Sequence, residues 1–307
     1  LDSPEAAQQS WTVRVKDPQT RVGVQIHAQP GPWLTAGPAY RAADAVLLES
    51  FDDLAPYTTQ PAGRRDVRLI QHGEAGAVSP GVKQRFELRD DGGREGKHYA
   101  VYTAENPGGI GGWSVVGRSF DPPLDLSWHK GIGFWLRGDG RGGSFKLQLG
   151  DGRGATDYYV ANDFTGWRYQ QLARPQKDPI DYAKVRSLMF YYNGLPGKAT
   201  VACGIDDVKA LRTLDQQTLT DPFVEVAGKR WQWKGPLAAG QYLFFWPGEP
   251  IARYGLPLTD CERSPEKAAT VTLGPGDYPV RFGCRGGPTQ PARVRVTLQP
   301  PERHAVP

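Results

Sequence analysis

The stretch from Trp128 to Leu211 constrains the fold more than any other part of the chain. It contains four short apolar runs rich in aromatic and β-branched residues, among them G-F-W-L and S-L-M-F-Y-Y, and clusters of Gly, Asp and Asn separate them. This alternation is typical of successive antiparallel strands joined by tight turns. The stretch therefore predicts half of an antiparallel β-sandwich.

Composition supports an all-β chain and excludes several functions. Glycine and proline number 38 and 27 among 307 residues, often at turn positions, which argues against a helical protein. Hydrophobic residues make up 39% and charged residues 23%, as in globular proteins. The net charge of +4 comes from interspersed charges without a basic block, and no apolar run is long enough to span a bilayer. We expect neither nucleic-acid binding nor membrane insertion.

The strand pattern divides the chain into three regions. Residues 1–45 contain two alternating segments and a linker, which cannot bury a core alone and either dock on a neighbouring domain or remain from a preceding one. Residues 46–213 contain evenly spaced short strands, which predict a two-sheet jelly roll. Residues 214–307 contain about seven short strands, the size of an immunoglobulin-like β-sandwich, and a loose Pro-rich tail. The predicted fold class is all-β, a jelly roll followed by a smaller immunoglobulin-like sandwich.

Four patches of residues 46–212 carry a family resemblance: G-I-G-F-W-L-R-G-D-G, D-F-T-G-W-R-Y, V-R-S-L-M-F-Y-Y-N-G and G-I-D-D-V-K-A-L. With the upstream L-L-E-S-F-D-D-L, they resemble galactose-binding-like jelly-roll carbohydrate-binding modules, including those attached to β-glucanases. The region that follows looks like the small sandwich domains that trail secreted polysaccharide-degrading enzymes. The resemblance implies non-catalytic binding of a polysaccharide or oligosaccharide, as the accessory part of a larger secreted or cell-surface protein.

The resemblance also implies a structural Ca²⁺ between the first and last strands of the jelly roll. The positions that match the family's motif are Glu49, Asp52 and Asp206, with Asp207 adjacent. Ca²⁺ takes six to eight hard oxygen ligands, which carboxylates supply. Acidic strand ends that simply face solvent are the alternative.

Sugar binding requires flat apolar rings flanked by groups that hydrogen-bond hydroxyls. Strand alternation assigns Val185, Leu188 and Phe190 to the core and places Met189 and Tyr191 on the opposite side of their sheet. The remaining ligand candidates are aromatic, and for each of them a core position is the competing interpretation. They are Tyr158, Tyr159, Trp167 and Tyr169, with Trp113 among further candidates. One of the neighbours Tyr158 and Tyr159 must point outward.

The sequence predicts no enzyme, because it lacks the paired-carboxylate string of jelly-roll glucanases. Two strings of alginate-lyase sandwiches, R-F-E-L-R at Arg85–Arg89 and Q-I-H at Gln25–His27, occur in reversed order and without the third motif. Two alternatives remain open. One is a structural scaffold or assembly subunit of an extracellular structure, and the other is a polysaccharide lyase or glycoside hydrolase.

Three cysteines and the first residue bear on the compartment. Cys261 and Cys284 lie 23 positions apart in the predicted smaller sandwich, where we expect them to form a disulfide, whereas Cys203 is expected to be a buried free thiol. The chain begins at Leu1 and has a single methionine. We expect it to be a piece of a longer exported protein with further domains.

Overall fold

The computed structural model describes residues 9–53, 77–78, 81–109, 111–176, 180–255, 261–285 and 290–300. The chain forms two compact units. One, which we call the insert unit, is Ala36–Asp215. The other, the frame unit, contains the described residues of Leu1–Thr35 and Gln216–Pro307. The described part of the chain has no helix of the length and apolarity that crossing a membrane requires.

Almost all regular elements are strands, which confirms the predicted all-β class. In the first half of the chain they are β1 (Gln9–Val15), β2 (Thr20–Ala28), β3 (Val46–Glu49), β4 (Ala77–Val78), β5 (Lys83–Arg89), β6 (Tyr99–Asn106), β7 (Gly112–Leu124), β8 (Gly131–Asp139) and β9 (Ser144–Gly150), with the short helix α1 (Pro38–Arg41) before β3. In the second half they are β10 (Ala155–Ala161), β11 (Thr165–Ala173), β12 (Val185–Leu195), β13 (Ala199–Leu211), β14 (Thr218–Thr220), β15 (Phe223–Val226), β16 (Lys229–Gln232), β17 (Pro236–Ala238), β18 (Tyr242–Phe245), β19 (Pro250–Tyr254), β20 (Cys261–Lys267), β21 (Thr272–Leu273), β22 (Gly276–Gly283) and β23 (Ala292–Gln299), with a 3-10 turn at Tyr182–Lys184.

The insert unit is a sandwich of two antiparallel sheets. One has the strand order β10-β9-β12-β7-β4, and the other has the order β11-β8-β13-β6-β5, with β3 paired to β13. Side chains from both sheets share one core: the ring centroids of Phe134 on β8 and Phe145 on β9 lie 6.0 Å apart. Each such fully buried aromatic ring contributes about 1.5–3 kcal/mol through the hydrophobic effect. The strands predicted between Trp128 and Leu211 thus build both layers.

The two ends of the insert unit are joined by hydrogen bonds. Both carboxylate oxygens of Asp215 accept the backbone N–H of Ala39, at 3.1 and 3.0 Å. The Gln171 side chain accepts the Asp215 N–H at 3.1 Å and donates to its carbonyl at 2.9 Å. These bonds hold the first and last residues of the insert together at the start of α1.

The frame unit is a second sandwich, with one sheet ordered β1-β22-β15-β16 and the other ordered β20-β19-β18-β2-β21, in which β23 also pairs with β2. Residues 1–45 were expected either to dock on a neighbouring domain or to remain from a preceding one. Their strands β1 and β2 belong to this sandwich: Trp11 pairs with Val280 and Ile26 with Leu243, and the apolar faces of β1 and β2 complete a core otherwise formed by β14–β23. The immunoglobulin-like topology of residues 214–307 stays a prediction.

The expected Cys261–Cys284 disulfide is wrong, because Cys284 is a free, buried cysteine. It directly follows β22 in one sheet of the frame unit, whereas Cys261 begins β20 in the other. Its thiol is buried within the apolar core between the sheets. Cys203 is free and buried, as predicted.

Candidate functional site

The outward face of the five-stranded sheet brings together side chains that are distant in sequence. The strand register aligns Tyr159 on β10, Lys146 on β9 and Tyr191 on β12 in one row across the sheet. The next row contains Asp157 on β10 and Gln148 on β9. Because directly paired residues point to the same side, these five side chains form one patch, which we call the tyrosine face.

Hydrogen bonds connect the members of the tyrosine face. Asp157 is at the centre: its carboxylate accepts from the Tyr159 hydroxyl at 3.0 Å, from Gln148 Nε2 at 2.7 Å and from Lys146 Nζ at 3.3 Å. Gln148 Oε1 accepts from the Tyr191 hydroxyl at 3.2 Å. The network fixes both tyrosine hydroxyls and the amide in defined orientations.

The rings and the polar groups differ in exposure. Lys146 and Gln148 are only 8% exposed, whereas Tyr159 is 54% exposed. The Lys146 ammonium group lies 4.0 Å from the Tyr191 ring centroid and 5.9 Å from that of Tyr159. Burial, and then the hydrogen bond to Asp157, raise the pKa of the Tyr159 hydroxyl, which therefore remains neutral at physiological pH. The face offers one open ring and one half-buried ring with oriented polar groups between them.

Met189 lies at the floor of this face and not on its surface. It occupies the same row as Gln148 and Gly117, and it is fully buried. A β-carbon at Gly117 would overlap the Met189 sulfur, so the absent side chain makes room for the methionine. The prediction of Met189 as a ligand contact is corrected: the side chain supports Tyr191 and Val115, against which it packs.

Trp113 extends the face along β7. It lies two residues before Val115, the register partner of Tyr191, so alternation places it on the same side of the sheet. The indole is 40% exposed. Trp113 is the aromatic candidate from the sequence that adds a second open ring to this side.

Tyr158 belongs to the core of the sandwich. It alternates with Tyr159 and points inward, where it is buried with the other apolar side chains. Its hydroxyl lies 3.3 Å from His129 Nε2. Of the pair that the sequence left open, Tyr159 is therefore the outward member, and the prediction of Tyr158 as a ligand residue is corrected.

Trp167 is on the opposite side of the insert unit, on the outward face of the six-stranded sheet. Its indole N–H donates to the carbonyl of Gly92 at 3.0 Å, and its ring packs edge-on against Tyr99 at 5.2 Å. It cannot contact a ligand that lies on the tyrosine face, because the whole sandwich separates the two sheets' outer surfaces.

Tyr169 shares this second face but is fully buried. Its ring packs against Tyr40 of α1 at 5.2 Å and against Trp135 at 5.6 Å. The segment that contains α1 covers it, so its predicted role as a ligand contact is corrected to a packing role.

The four predicted calcium ligands differ in their contacts. Glu49 is committed elsewhere, because one carboxylate oxygen accepts from Arg118 at 2.9 Å and the other from the N–H of Phe51 at 2.8 Å. Among the described residues, no three His, Cys, Asp or Glu groups form a cluster that could hold a metal ion. The calcium site expected from the sequence stays a prediction.

Asp206 is the most buried of the four predicted ligands. It is fully buried, and its Oδ2 atom accepts the N–H groups of Arg94 and Glu95 at 2.6 and 3.1 Å. Its Oδ1 atom is buried without a hydrogen-bond partner among the described residues. Burial above all, with a contribution from Asp207, raises the pKa of Asp206 to about 6.

Asp52 and Asp207, near Asp206, each contact other groups. Oδ1 of Asp52 accepts the N–H groups of Lys97 and His98 at 2.8 and 3.0 Å, and these bonds lower its pKa. Oδ2 of Asp207 lies 3.5 Å from Lys209 Nζ. Burial raises the pKa of Asp207, and the charge of Asp52 adds to that increase.

Sequence reasoning missed Lys146 and Gln148. In the run S-F-K-L-Q-L they alternate with Phe145 and Leu147, which already places them on the side of the sheet opposite the core. The missing information was the strand register. It places Lys146 of β9 between Tyr159 of β10 and Tyr191 of β12.

Neither family models nor curated proteins match the chain. Several solved structures do. A family 11 carbohydrate-binding module from Clostridium thermocellum, in complex with a β-1,3-1,4-mixed-linked tetrasaccharide, is 14% identical with a TM-score of 0.39, over 56% of this chain and 97% of that one. Module CBM27-1 of Caldicellulosiruptor saccharolyticus, in complex with mannohexaose, is 16% identical with a TM-score of 0.37, over 57% and 100%. A β-1,2-glucanase from Parabacteroides distasonis is 10% identical with a TM-score of 0.33, over 65% and 36%.

Proposed function

We propose that the insert unit binds a polysaccharide or oligosaccharide on the tyrosine face without cleaving it. The observation that carries this proposal is the row of Tyr159, Lys146 and Tyr191, in which two rings lie on either side of a cation on an open sheet surface. The Tyr159 ring, 54% exposed, is the stacking surface, and Trp113 extends it.

The chemistry of the face fits a sugar. The C–H side of a pyranose ring packs on a flat aromatic ring, and its hydroxyls require donors and acceptors that are already oriented. Asp157, Gln148 and Lys146 supply both kinds of group, and their mutual hydrogen bonds hold them before a ligand arrives. A pre-ordered site loses less conformational entropy on binding.

The same residues favour binding over hydrolysis. Glycosidases of the usual type place two carboxyl groups across the scissile bond. The tyrosine face contains one, Asp157, and hydrogen bonds from Tyr159, Gln148 and Lys146 occupy it. We therefore assign the unit an accessory role in a larger secreted or cell-surface protein, where tethering to other domains converts a weak single site into strong overall retention.

A Ca²⁺ ion is a second part of the proposal. The buried Oδ1 of Asp206 supports it, because a buried oxygen without a hydrogen-bond partner among the described residues destabilises the fold. Asp206 would hold the ion together with backbone carbonyl oxygens, which Ca²⁺ accepts as ligands, and with Asp52 and Asp207 if their side chains turn toward it. Such an ion neutralises the local negative charge and has no role in binding the glycan.

Affinity electrophoresis of the whole chain in gels that contain neutral β-glucan, mannan or xylan tests the function. We expect at least one gel to retard the protein, and soluble oligosaccharide of the same type to reverse the retardation. Reducing ends should not accumulate in any of these mixtures. Failure of every neutral glycan to retard the protein contradicts the proposal and favours a scaffold, whereas release of reducing ends favours an enzyme.

A further inference from the structure

The frame unit has a second surface with ligand-binding character, on the outward face of its six-stranded sheet. The register places Arg295, Gln25, Phe244, Ala252 and Arg263 in one row across five strands, β23, β2, β18, β19 and β20. On β2, β18 and β23 the side chains between these positions point into the core. We call this surface the arginine face.

The neighbouring row adds aromatic rings. It contains His27, Tyr242 and Tyr254 on consecutive strands, with Arg293 at one end. The rings of His27 and Tyr242 stack in parallel with centroids 4.0 Å apart. Burial, and then the charge of Arg293, lower the pKa of His27, so its ring is neutral at pH 7.

Trp246 forms part of the surface because of a glycine. A β-carbon at Gly23 would overlap the Trp246 ring, whose atoms are the nearest to that position. The indole therefore lies against the β2 backbone. Together with Ala252 and Tyr254 it lines a cavity.

Two cavities open on this face. The first, of about 250 Å³, is lined by His27, Tyr242, Arg293 and Arg295 among others. The second, of about 320 Å³, is lined by Trp246, Tyr254 and Arg263 among others. Tyr242 and Phe244, whose ring centroids are 6.4 Å apart, lie between them. Each cavity is near the lower limit of ordinary small-ligand pockets, roughly 300 Å³.

The charge of the face is positive. Arg263, Arg293 and Arg295 are exposed, and none of them makes an ion pair with another described residue. Glu249 is the single acidic residue that lines the two cavities. Three other exposed arginines of this unit, Arg14, Arg230 and Arg285, do have acidic partners. The arginine face is therefore charged and open at the same time.

We propose that the arginine face binds a polyuronide, a polysaccharide whose sugar rings carry carboxylates. The guanidinium group matches a carboxylate through two parallel hydrogen bonds. The rings of Phe244 and Tyr254 provide the flat surface on which the sugar packs. Adjacent strands lie about 4.8 Å apart, so Arg295 and Arg263, four strands apart, span roughly 19 Å. An extended acidic chain that crosses the strands contacts a cation at each end and rings between them.

This inference does not depend on the tyrosine face, which lies in the other unit. The two surfaces also differ in chemistry. The carboxylate of Asp157 occupies the centre of the tyrosine face, whereas three arginines surround the rings of the arginine face. The first suits neutral hydroxyls and the second suits acidic sugars.

Binding of polygalacturonate to the whole chain, measured by affinity electrophoresis and by titration calorimetry with a galacturonate oligomer, tests the proposal. We expect binding that weakens with salt. The double variant Arg293→Gln/Arg295→Gln should lower the affinity roughly tenfold or more, because each charged hydrogen bond is stronger than a neutral one. The variant Phe244→Leu, which keeps an apolar side chain but removes the ring, should lower it as well.

The matched control is Arg14→Gln/Arg281→Gln, which removes the same charge from the four-stranded sheet of the same unit. It should leave the affinity unchanged. The proposal is overturned if polygalacturonate is not bound, or if the control double variant loses as much affinity as the Arg293/Arg295 variant. It is also overturned if dextran sulfate is bound and polygalacturonate is not, or if Phe244→Leu binds as wild type does.

Discussion

The ammonium group of Lys146 lies 4.0 Å from the centroid of the Tyr191 ring. A cation at this distance is attracted by the negative face of the ring and holds it in place. The same ammonium group reaches Asp157, so one lysine links the ring to the hydrogen-bond network of the tyrosine face. The arrangement explains why a lysine in the middle of a sheet is almost fully buried.

Replacing Lys146 with methionine should weaken both the fold and the site. Methionine keeps the apolar stem but removes the cation, which at partly buried positions contributes about 0.5–2 kcal/mol. Asp157 then loses one of its partners. We expect urea denaturation to show a destabilisation in that range and glycan affinity to fall. Lys209→Met, a lysine beside Asp207 and Tyr40 on the other sheet, is the matched control and should leave glycan affinity unchanged.

Gly23→Ala should disturb the frame unit only while Trp246 is present. The added methyl group overlaps the indole, whose atoms are its nearest neighbours. We expect a shift in tryptophan fluorescence and a loss of roughly 1–3 kcal/mol, the usual cost of overpacking. In a Trp246→Leu background the same change should cost much less. Equal costs in the two backgrounds, measured by urea denaturation, contradict this explanation of the glycine.

Two thiols should be hidden in the native protein. Burial raises the pKa of Cys284 to about 11 and that of Cys203 to about 12, so both are protonated and poorly reactive at pH 8. Titration with a thiol reagent should detect both only after denaturation, without prior reduction. A requirement for reductant before Cys284 reacts contradicts its free state.

Calcium should stabilise the insert unit through Asp206. An ion that binds only the folded state raises the melting temperature with its concentration. We expect scanning calorimetry in millimolar Ca²⁺ to give a higher transition than in chelator, and Asp206→Asn to abolish the difference. Glu49→Gln should retain it, since the Glu49 carboxylate is bound to Arg118. Equal melting temperatures of the wild type with and without calcium contradict the proposed calcium site.

The sequence predicted where the strands lie and which side of each faces the core, but it did not predict which strands are neighbours. Alternation identified the inward side of β12 and placed Met189 and Tyr191 on its other side, which is what the structure shows. It could not show that Gly117 allows Met189 to be buried, because that depends on a neighbouring strand. For the same reason Trp167 and Tyr159 looked equivalent, although they lie on opposite sheets.

The sequence did not show, for a related reason, to which unit residues 1–45 belong. The sequence order suggests that residues 1–45 precede the jelly roll, but β1 and β2 pair with strands more than 200 positions later. Hydrophobic alternation within one strand does not indicate which distant strand it pairs with. The arginine face was also invisible in the sequence, since its two rows draw residues from five strands.

Calorimetric titration is the decisive test of whether the tyrosine face binds the glycan. The neutral glycan that retards the protein is titrated into wild type, Tyr191→Ala, Tyr159→Ala and Trp167→Ala. Loss of a stacking ring should lower the affinity roughly tenfold or more. We expect this loss for both Tyr159→Ala and Tyr191→Ala. Trp167→Ala should keep wild-type affinity, because its ring lies on the other sheet. Wild-type affinity in both tyrosine variants, or a loss confined to Trp167→Ala, would contradict binding at the tyrosine face.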